Sequence, residues 1–182
     1  NIQNNPELPW EWQNISYNPN ITWEIIQNNP DKNWNWYVIS KHPNITWEII
    51  QNNPNYPWDY DYISCNPNIT GKIIQNNLDK NWKWNTLSCH KNITMEFIQN
   101  NLDFPWNWEF ILDNPNITWE FIQNNIDNNW CYNKLIYSVK DLDKITYIKK
   151  HIYKDIWVKL GEKILPHIFI DNNIIDYILD FI

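Results

Sequence analysis

At 182 residues, 43% hydrophobic and 19% charged, the chain has the length of one domain, can bury a sizeable core and is too apolar to be disordered throughout. Its net charge is −7: residues 1–139 hold 7 Lys against 14 acids and residues 140–182 hold 7 of each, with no Arg anywhere, which disfavours nucleic-acid phosphates as a partner. An odd set of Cys (Cys65, Cys89, Cys131), no opening signal sequence and no apolar run of ~20 residues point to reduced thiols, an intracellular setting and no membrane.

Ala is absent, Gly occurs only at Gly71 and Gly161, and Asn, Ile, Lys, Tyr and Asp dominate, as AT-rich codons would produce. That bias lowers the weight of each Asn. It raises the weight of the 14 Trp, whose codon runs against the bias.

The chain opens at Asn1-Ile2-Gln3, partway through a repeat and without Met, which suggests a longer series of repeats upstream. From Trp10 onward the period is 24 residues: Trp10, Trp34, Trp58, Trp82, Trp106 and Trp130 keep it, as do Ile21, Ile45, Ile69, Ile93 and Ile117. One unit reads approximately D-K-N-W-N-W-x-x-I-S-x-x-P-N-I-T-W-E-I-I-Q-N-N-P.

Its first half predicts a short helix with Asp31 as N-cap and Pro9, Pro57 and Pro105 in the first turn, where a missing N–H costs little. Trp36, Ile39 and the small Ser40 share one face, Trp34 the other, and Pro19, Pro43, Pro67 and Pro115 end the helix.

The second half predicts another helix, with Thr22, Ile25, Ile26 and Asn29 on one face. Thr22 is the expected N-cap, Ile21 and Ile26 form the hydrophobic staple, and Glu24 lies in the first turn where the helix dipole favours an acid. Asn28-Asn29 before Pro30 is the expected stop, since Asn tolerates the left-handed conformation. A leucine-rich-repeat-like strand with an Asn ladder is the rival, and it would put Ile25 and Ile26 on opposite faces.

Five such helix pairs fit residues 7–126, with a sixth first helix near 127–138. Residues 1–139 are thus read as tandem helical repeats. Residues 140–182 lose the pattern and read as a helical C-terminal cap: an amphipathic helix up to Gly161, then an apolar one after Pro166. The fold class expected is all-α, an α-solenoid of short two-helix units.

A fully buried Trp removes ~150–250 Å² from water, about 4–6 kcal/mol before entropy is counted, so the Trp series reads as core. The expected repeat core is Trp34, Trp36, Ile39, Ile45, Ile63, Ile117 and the Trp at 58, 82 and 106. Positions that change between copies are free to serve partners. Three of them form a stripe at i, i+3, i+6 on the first helix: Asn35, Val38 and Lys41, then Asp59, Tyr62 and Cys65, then Lys83, Thr86 and Cys89, then Asn107, Phe110 and Asp113. This stripe is the candidate binding surface. The series Trp23, Trp47, Gly71, Met95, Trp119 is a second variable position, at which Gly71 would leave a notch.

Catalytic chemistry finds no support. His42, His90, His151 and His167 lack metal-ligand spacing, Cys89-His90 has no orienting third group, and isolated glycines cannot build a phosphate loop. No catalytic residue, metal or cofactor is expected. The triplet Asn20-Ile21-Thr22 and its copies match a glycosylation acceptor, but the helix cap accounts for the Thr.

The unit W-N-W-x-x-I-S-x-x-P-N-I-T-W-E-I-I-Q-N-N-P at 34–54, and its variant at 106–126, resembles the Trp/Asn-rich tandem repeats of uncharacterised giant-virus (mimivirus-like) proteins. The resemblance covers residues 1–139. It implies a viral repeat protein, placed in host cytoplasm or virion, and supplies no activity. The function expected is a non-enzymatic scaffold binding a protein partner of unknown identity, with self-association in a virion or single-strand nucleic-acid reading as alternatives.

Overall fold

The computed structural model describes residues 9–138, together with 144, 145, 147–149 and 151. Among the described residues the structure is helical and has no strand. Two compact units divide the chain, Asn1–Thr118 and Trp119–Ile182.

In the first unit, short helices of two kinds alternate. One kind begins at a Trp or Tyr 24 residues apart: α1 (Trp12–Ile15), α3 (Trp36–Ser40), α5 (Tyr60–Ile63), α7 (Trp84–Ser88) and α9 (Trp108–Ile111). Between them lie α2 (Trp23–Gln27), α4 (Trp47–Asn52), α6 (Gly71–Gln75) and α8 (Met95–Gln99). Helices of four to six residues are far below the length at which a helix stands alone in water, so packing and caps must hold them. Accordingly α3 packs against α5 and α7 against α9.

Helices α2, α4, α6 and α8 start as expected. Thr22, Thr46, Thr70 and Thr94 are in extended conformation and accept from the N–H of Ile25, Ile49, Ile73 and Phe97. Their stop has a different origin. None of the described residues has positive φ; instead the Asn29 side chain donates to the Ile25 carbonyl at 2.9 Å, and Asn53, Asn77 and Asn101 do the same to Ile49, Ile73 and Phe97. The Asn29 carbonyl then accepts from the Trp34 indole N–H at 3.0 Å, and Trp58, Trp82 and Trp106 repeat the bond to Asn53, Asn77 and Asn101. Each stop therefore anchors the next tryptophan.

The first helix begins later than its sequence suggests. Asp31 caps nothing; Asn35, Asp59 and Asn107 are the N-caps, accepting from Val38, Tyr62 and Phe110. Residues 33–35, 57–59 and 105–107 form a non-helical link, so Trp34 and Trp58 precede the helix instead of lying on it, and Pro57 and Pro105 sit in that link. The cause is local: the Trp34 N–H closes onto the Lys32 carbonyl at 2.9 Å and its indole is tied to Asn29, geometry that a helix through Trp34 would break.

Ile21, Ile26, Trp34, Ile39, Ile45, Ile63, Ile69, Ile74, Trp82, Leu87, Ile93, Ile98, Trp106 and Ile111 form the core of this unit. Of the expected core residues, Trp36, Trp58 and Ile117 are only half-buried. Trp36 and Trp58 lie in an aromatic seam, edge to face at 5.2 Å.

The second unit contains α10 (Trp119–Asn124) and α11 (Tyr132–Ser138). Phe121, Ile122, Ile126, Trp130, Leu135 and Ile148 are buried there, and the same Asn–Trp anchor recurs, Asn125 bonding Phe121 and receiving the Trp130 indole at 2.7 Å. The Trp119 ring meets Tyr147 edge-on, and the Lys144 ammonium lies 5.6 Å over it. Residues 144, 145, 147–149 and 151 are helical. The rest of the expected cap, including its apolar helix after Pro166, lies outside the described residues.

Candidate functional site

Two hydrogen-bonded seams join successive copies in the first unit, and they decide which variable positions are available. The first runs through the helix-helix turn. Asn18, His42, Asn66, His90 and Asn114 open β-turns whose carbonyls accept from Ile21, Ile45, Ile69, Ile93 and Ile117, with Pro at the second turn position in all but the fourth copy. Asn66 and Asn114 fold their side-chain oxygens onto the N–H two residues on, at 2.9 Å. Their amides reach back one copy: Asn66 donates to the carbonyls of Ser40, His42 and Ile45, and Asn114 to those of Ser88, His90 and Ile93.

Histidine performs the same pair of roles in the alternate copies. The Nδ1 atoms of His42 and His90 accept from the N–H of Asn44 and Asn92 at 3.2 Å, so each neutral ring carries its proton on Nε2, which meets the carbonyl of Asn18 or Asn66. Like Asn, the ring offers a near acceptor and a far donor. Burial holds His90 below its ordinary histidine range, opposed by its bond to the Asn66 carbonyl and reinforced by neighbouring Lys91. Beside this seam, Asn44 donates to the carbonyls of Pro19 and Ile21, Asn68 to those of Pro43 and Ile45, and Asn116 to those of Lys91 and Ile93. These Asn belong to the glycosylation-like triplets, and their amides are engaged in the seam.

The second seam starts at Ser16, Ser40, Ser64 and Ser88, all fully buried. Their hydroxyls accept from the N–H of Asn35, Asp59, Lys83 and Asn107, at 2.9–3.0 Å and always 19 residues on. Small size alone would admit Ser here, but it is the hydroxyl that joins the copies.

The candidate stripe is therefore uneven. Asn35, Asp59 and Asn107 spend their side chains on capping, and Lys83, which caps nothing, pairs with Asp61 at 2.9 Å; that bond raises its pKa. Val38 is buried at 6% exposure, contrary to its place on the expected outer face. It is flanked by Tyr37 and Lys41, and both meet the Tyr62 ring, at 5.2 Å and 5.3 Å. Lys41, Tyr62, Cys65, Phe110 and Asp113 are exposed; Thr86 and Cys89 are half-buried. Tyr17 and Tyr37 are among the most exposed large side chains, at 64% and 58%. Tyr37 lies outside the expected stripe and is exposed all the same.

Gly71 leaves no notch. The Phe97 ring occupies the space, and a Cβ on Gly71 would lie 2.6 Å from it. The copies with Trp23 and Trp47 carry Ile49 and Ile73 at the place of Phe97, so the two positions exchange volume.

Among the described residues no group of three His, Cys, Asp or Glu could hold a metal ion, and no helix is long and apolar enough to cross a membrane. Compared with models of known protein families, with curated proteins and with solved structures, the chain matches none.

Proposed function

We propose that the chain is an α-solenoid of two-helix, 24-residue units that acts as a non-enzymatic scaffold for a protein partner, a host factor or a virion component if the giant-virus resemblance reflects its origin. The observation that carries this reading is the constant sequence separation of the bonds between copies: 19 residues for the Ser bonds and 24 for the His bonds. A register that never slips is what stacked units require, and it fixes one side-chain position per unit on a common surface.

On that surface chemistry changes from copy to copy while the seams do not. Exposed Tyr17, Tyr37, Tyr62 and Phe110 supply rigid aromatic contact area of the kind that dominates protein interfaces. Exposed Lys41, Lys83 and Asp113 add charge. The acidic balance of the repeats supports a protein over a nucleic acid as partner.

The test is affinity purification from expressing cells with the native chain and with Tyr37, Tyr62, Thr86 and Phe110 all changed to Ala. Loss of the captured partners at unchanged circular dichroism is expected. Equal capture by both chains would move the recognition surface elsewhere, and retention on immobilised RNA that weakens with salt would replace the protein scaffold by a nucleic-acid reader.

A further inference from the structure

In each copy, one position lies two residues before the anchored tryptophan, and its carbonyl accepts from that tryptophan's N–H: Lys32, Tyr56, Lys80 and Phe104. What this side chain does is visible in the neighbouring copies. The Tyr56 ring lies 5.0 Å from Trp23 and 5.1 Å from Trp36. The Phe104 ring lies 5.3 Å from Trp84 and 6.2 Å from Phe97. At Lys32 the ammonium takes the ring's place, 5.5 Å over Trp12.

Lys80 fills its slot in neither way. Its ammonium turns to the exposed carboxylate of Asp79 at 2.7 Å. The walls are present: Trp47 and Tyr60 flank Trp82 at 5.6 Å and 5.7 Å, as Trp23 and Trp36 flank Trp58. What remains is an open cavity of about 460 Å³ lined by Trp47, Tyr56, Trp58, Tyr60, Asn77 and Lys80.

We infer that this cavity is a binding slot for a single aromatic ring accompanied by a carboxylate, presented as a tyrosine beside an acidic residue of a partner polypeptide. The ring's geometry is dictated by Tyr56 and Phe104, which occupy the equivalent slots. The carboxylate answers to Lys80, whose partner Asp79 is a sequence neighbour with its side chain 69% exposed, a pairing that an incoming acid can displace. Tyr60 adds a donor: burial raises its pKa above the ordinary tyrosine value, partly offset by Lys80, so the phenol keeps its proton at neutral pH. That the ring arrives on a polypeptide rests on the scaffold reading; that the slot takes an aromatic acid does not.

The experiment titrates the whole chain with acetyl-Glu-Tyr-Glu-amide, acetyl-Glu-Leu-Glu-amide and free 4-hydroxyphenylacetate, read by ligand-detected saturation-transfer NMR. The tyrosine peptide is expected to bind at least tenfold more tightly than the leucine peptide. Lys80→Tyr, which copies the neighbouring unit, should fill the slot, weaken both aromatic probes at least tenfold and raise the unfolding midpoint. Lys80→Ala should keep the ring contact and bind acetyl-Glu-Tyr-Glu-amide no better than the neutral acetyl-Gln-Tyr-Gln-amide, and equal binding of these two peptides by the native chain would overturn the carboxylate. Equal binding to Lys80→Tyr and the native chain, or equal binding of the tyrosine and leucine peptides, overturns the slot. Tighter binding of the free acid than of the tyrosine peptide overturns the polypeptide source while leaving the slot, and neither result depends on the partners captured through Tyr37 and Tyr62.

Discussion

The two sets of contacts that join successive copies use opposite chemistry. On the turn side, His42, Asn66, His90 and Asn114 are buried polar groups, each Asn or His, because the site demands an acceptor next to the backbone and a donor aimed one copy back. On the aromatic side, among the described residues, the place of Gly71 holds Trp, Gly or Met, and the place of Tyr56 holds Tyr, Lys, Phe or, at 128, Asn. Hydrogen bonds have direction and a fixed count, so the polar seam admits few residues. Dispersion and ring packing need only filled volume, so the aromatic seam drifts wherever a neighbour compensates.

The contrast breaks most visibly at Asn66, only 1% exposed. Asn66→Ala leaves the carbonyls of Ser40, His42 and Ile45 short of a donor inside the protein, although Asn68 still reaches Ile45. The expected loss is on the order of 3 kcal/mol in urea unfolding. Asn66→His retains the near acceptor and one far donor, as His42 and His90 do, and should cost about 1 kcal/mol. If the two variants lose the same stability, the directional account of this seam fails.

Gly71 tests the other side. In Gly71→Ala the new Cβ meets the Phe97 ring, and overpacking of this kind typically costs about 1–3 kcal/mol, more than the ~1 kcal/mol that Ala gains over Gly in a helix. In a Phe97→Ile background the ring is gone, and the same change should turn neutral or stabilising. A double-mutant cycle with coupling near zero would mean that the two positions do not exchange volume.

Much of the frame was legible in the letters themselves. Thr22 and Thr46 as N-caps, buried Ile21 and Ile26, and the core role of Trp34, Trp82 and Trp106 all follow from local rules that a single sequence exposes. Residues whose role is set one copy away were not legible. Ser40 looked like a small packing residue because its partner, the Asp59 N–H, is 19 positions distant. The Asn-rich composition looked like codon bias, yet Asn44, Asn66, Asn68, Asn114 and Asn116 each donate across copies. Val38 is buried where Tyr62 and Phe110, at the same repeat position, are exposed, and Tyr37 meets the Tyr62 ring at 5.2 Å, a contact one copy away that local helix spacing does not reveal. A helix-only vocabulary had no term for a tryptophan anchored before the helix begins.

The smallest expected effect concerns the choice between Asn and His within the polar seam. His90 is held as the neutral ring because Nδ1 accepts from Asn92, and a proton there would remove that bond and place charge in a buried site. Its folded pKa lies below the ordinary 6.5, so in the window beneath 6.5 the unfolded chain binds the proton first. Stability contributed by the neutral ring is complete above 6.5 and falls as pH drops through and below it, until the folded pKa is passed. The slope from this one group cannot exceed ~1.4 kcal/mol per pH unit. His90→Asn installs the residue found at 18, 66 and 114 and has no proton to take up. The difference in urea midpoint between the native chain and His90→Asn should therefore grow between about pH 7.5 and about pH 5, in favour of Asn, with the window set by the lowered pKa of a buried imidazole. A pH-independent difference would mean that the seam tolerates the charged ring, and that Asn and His alternate there for a reason other than their shared pair of hydrogen bonds.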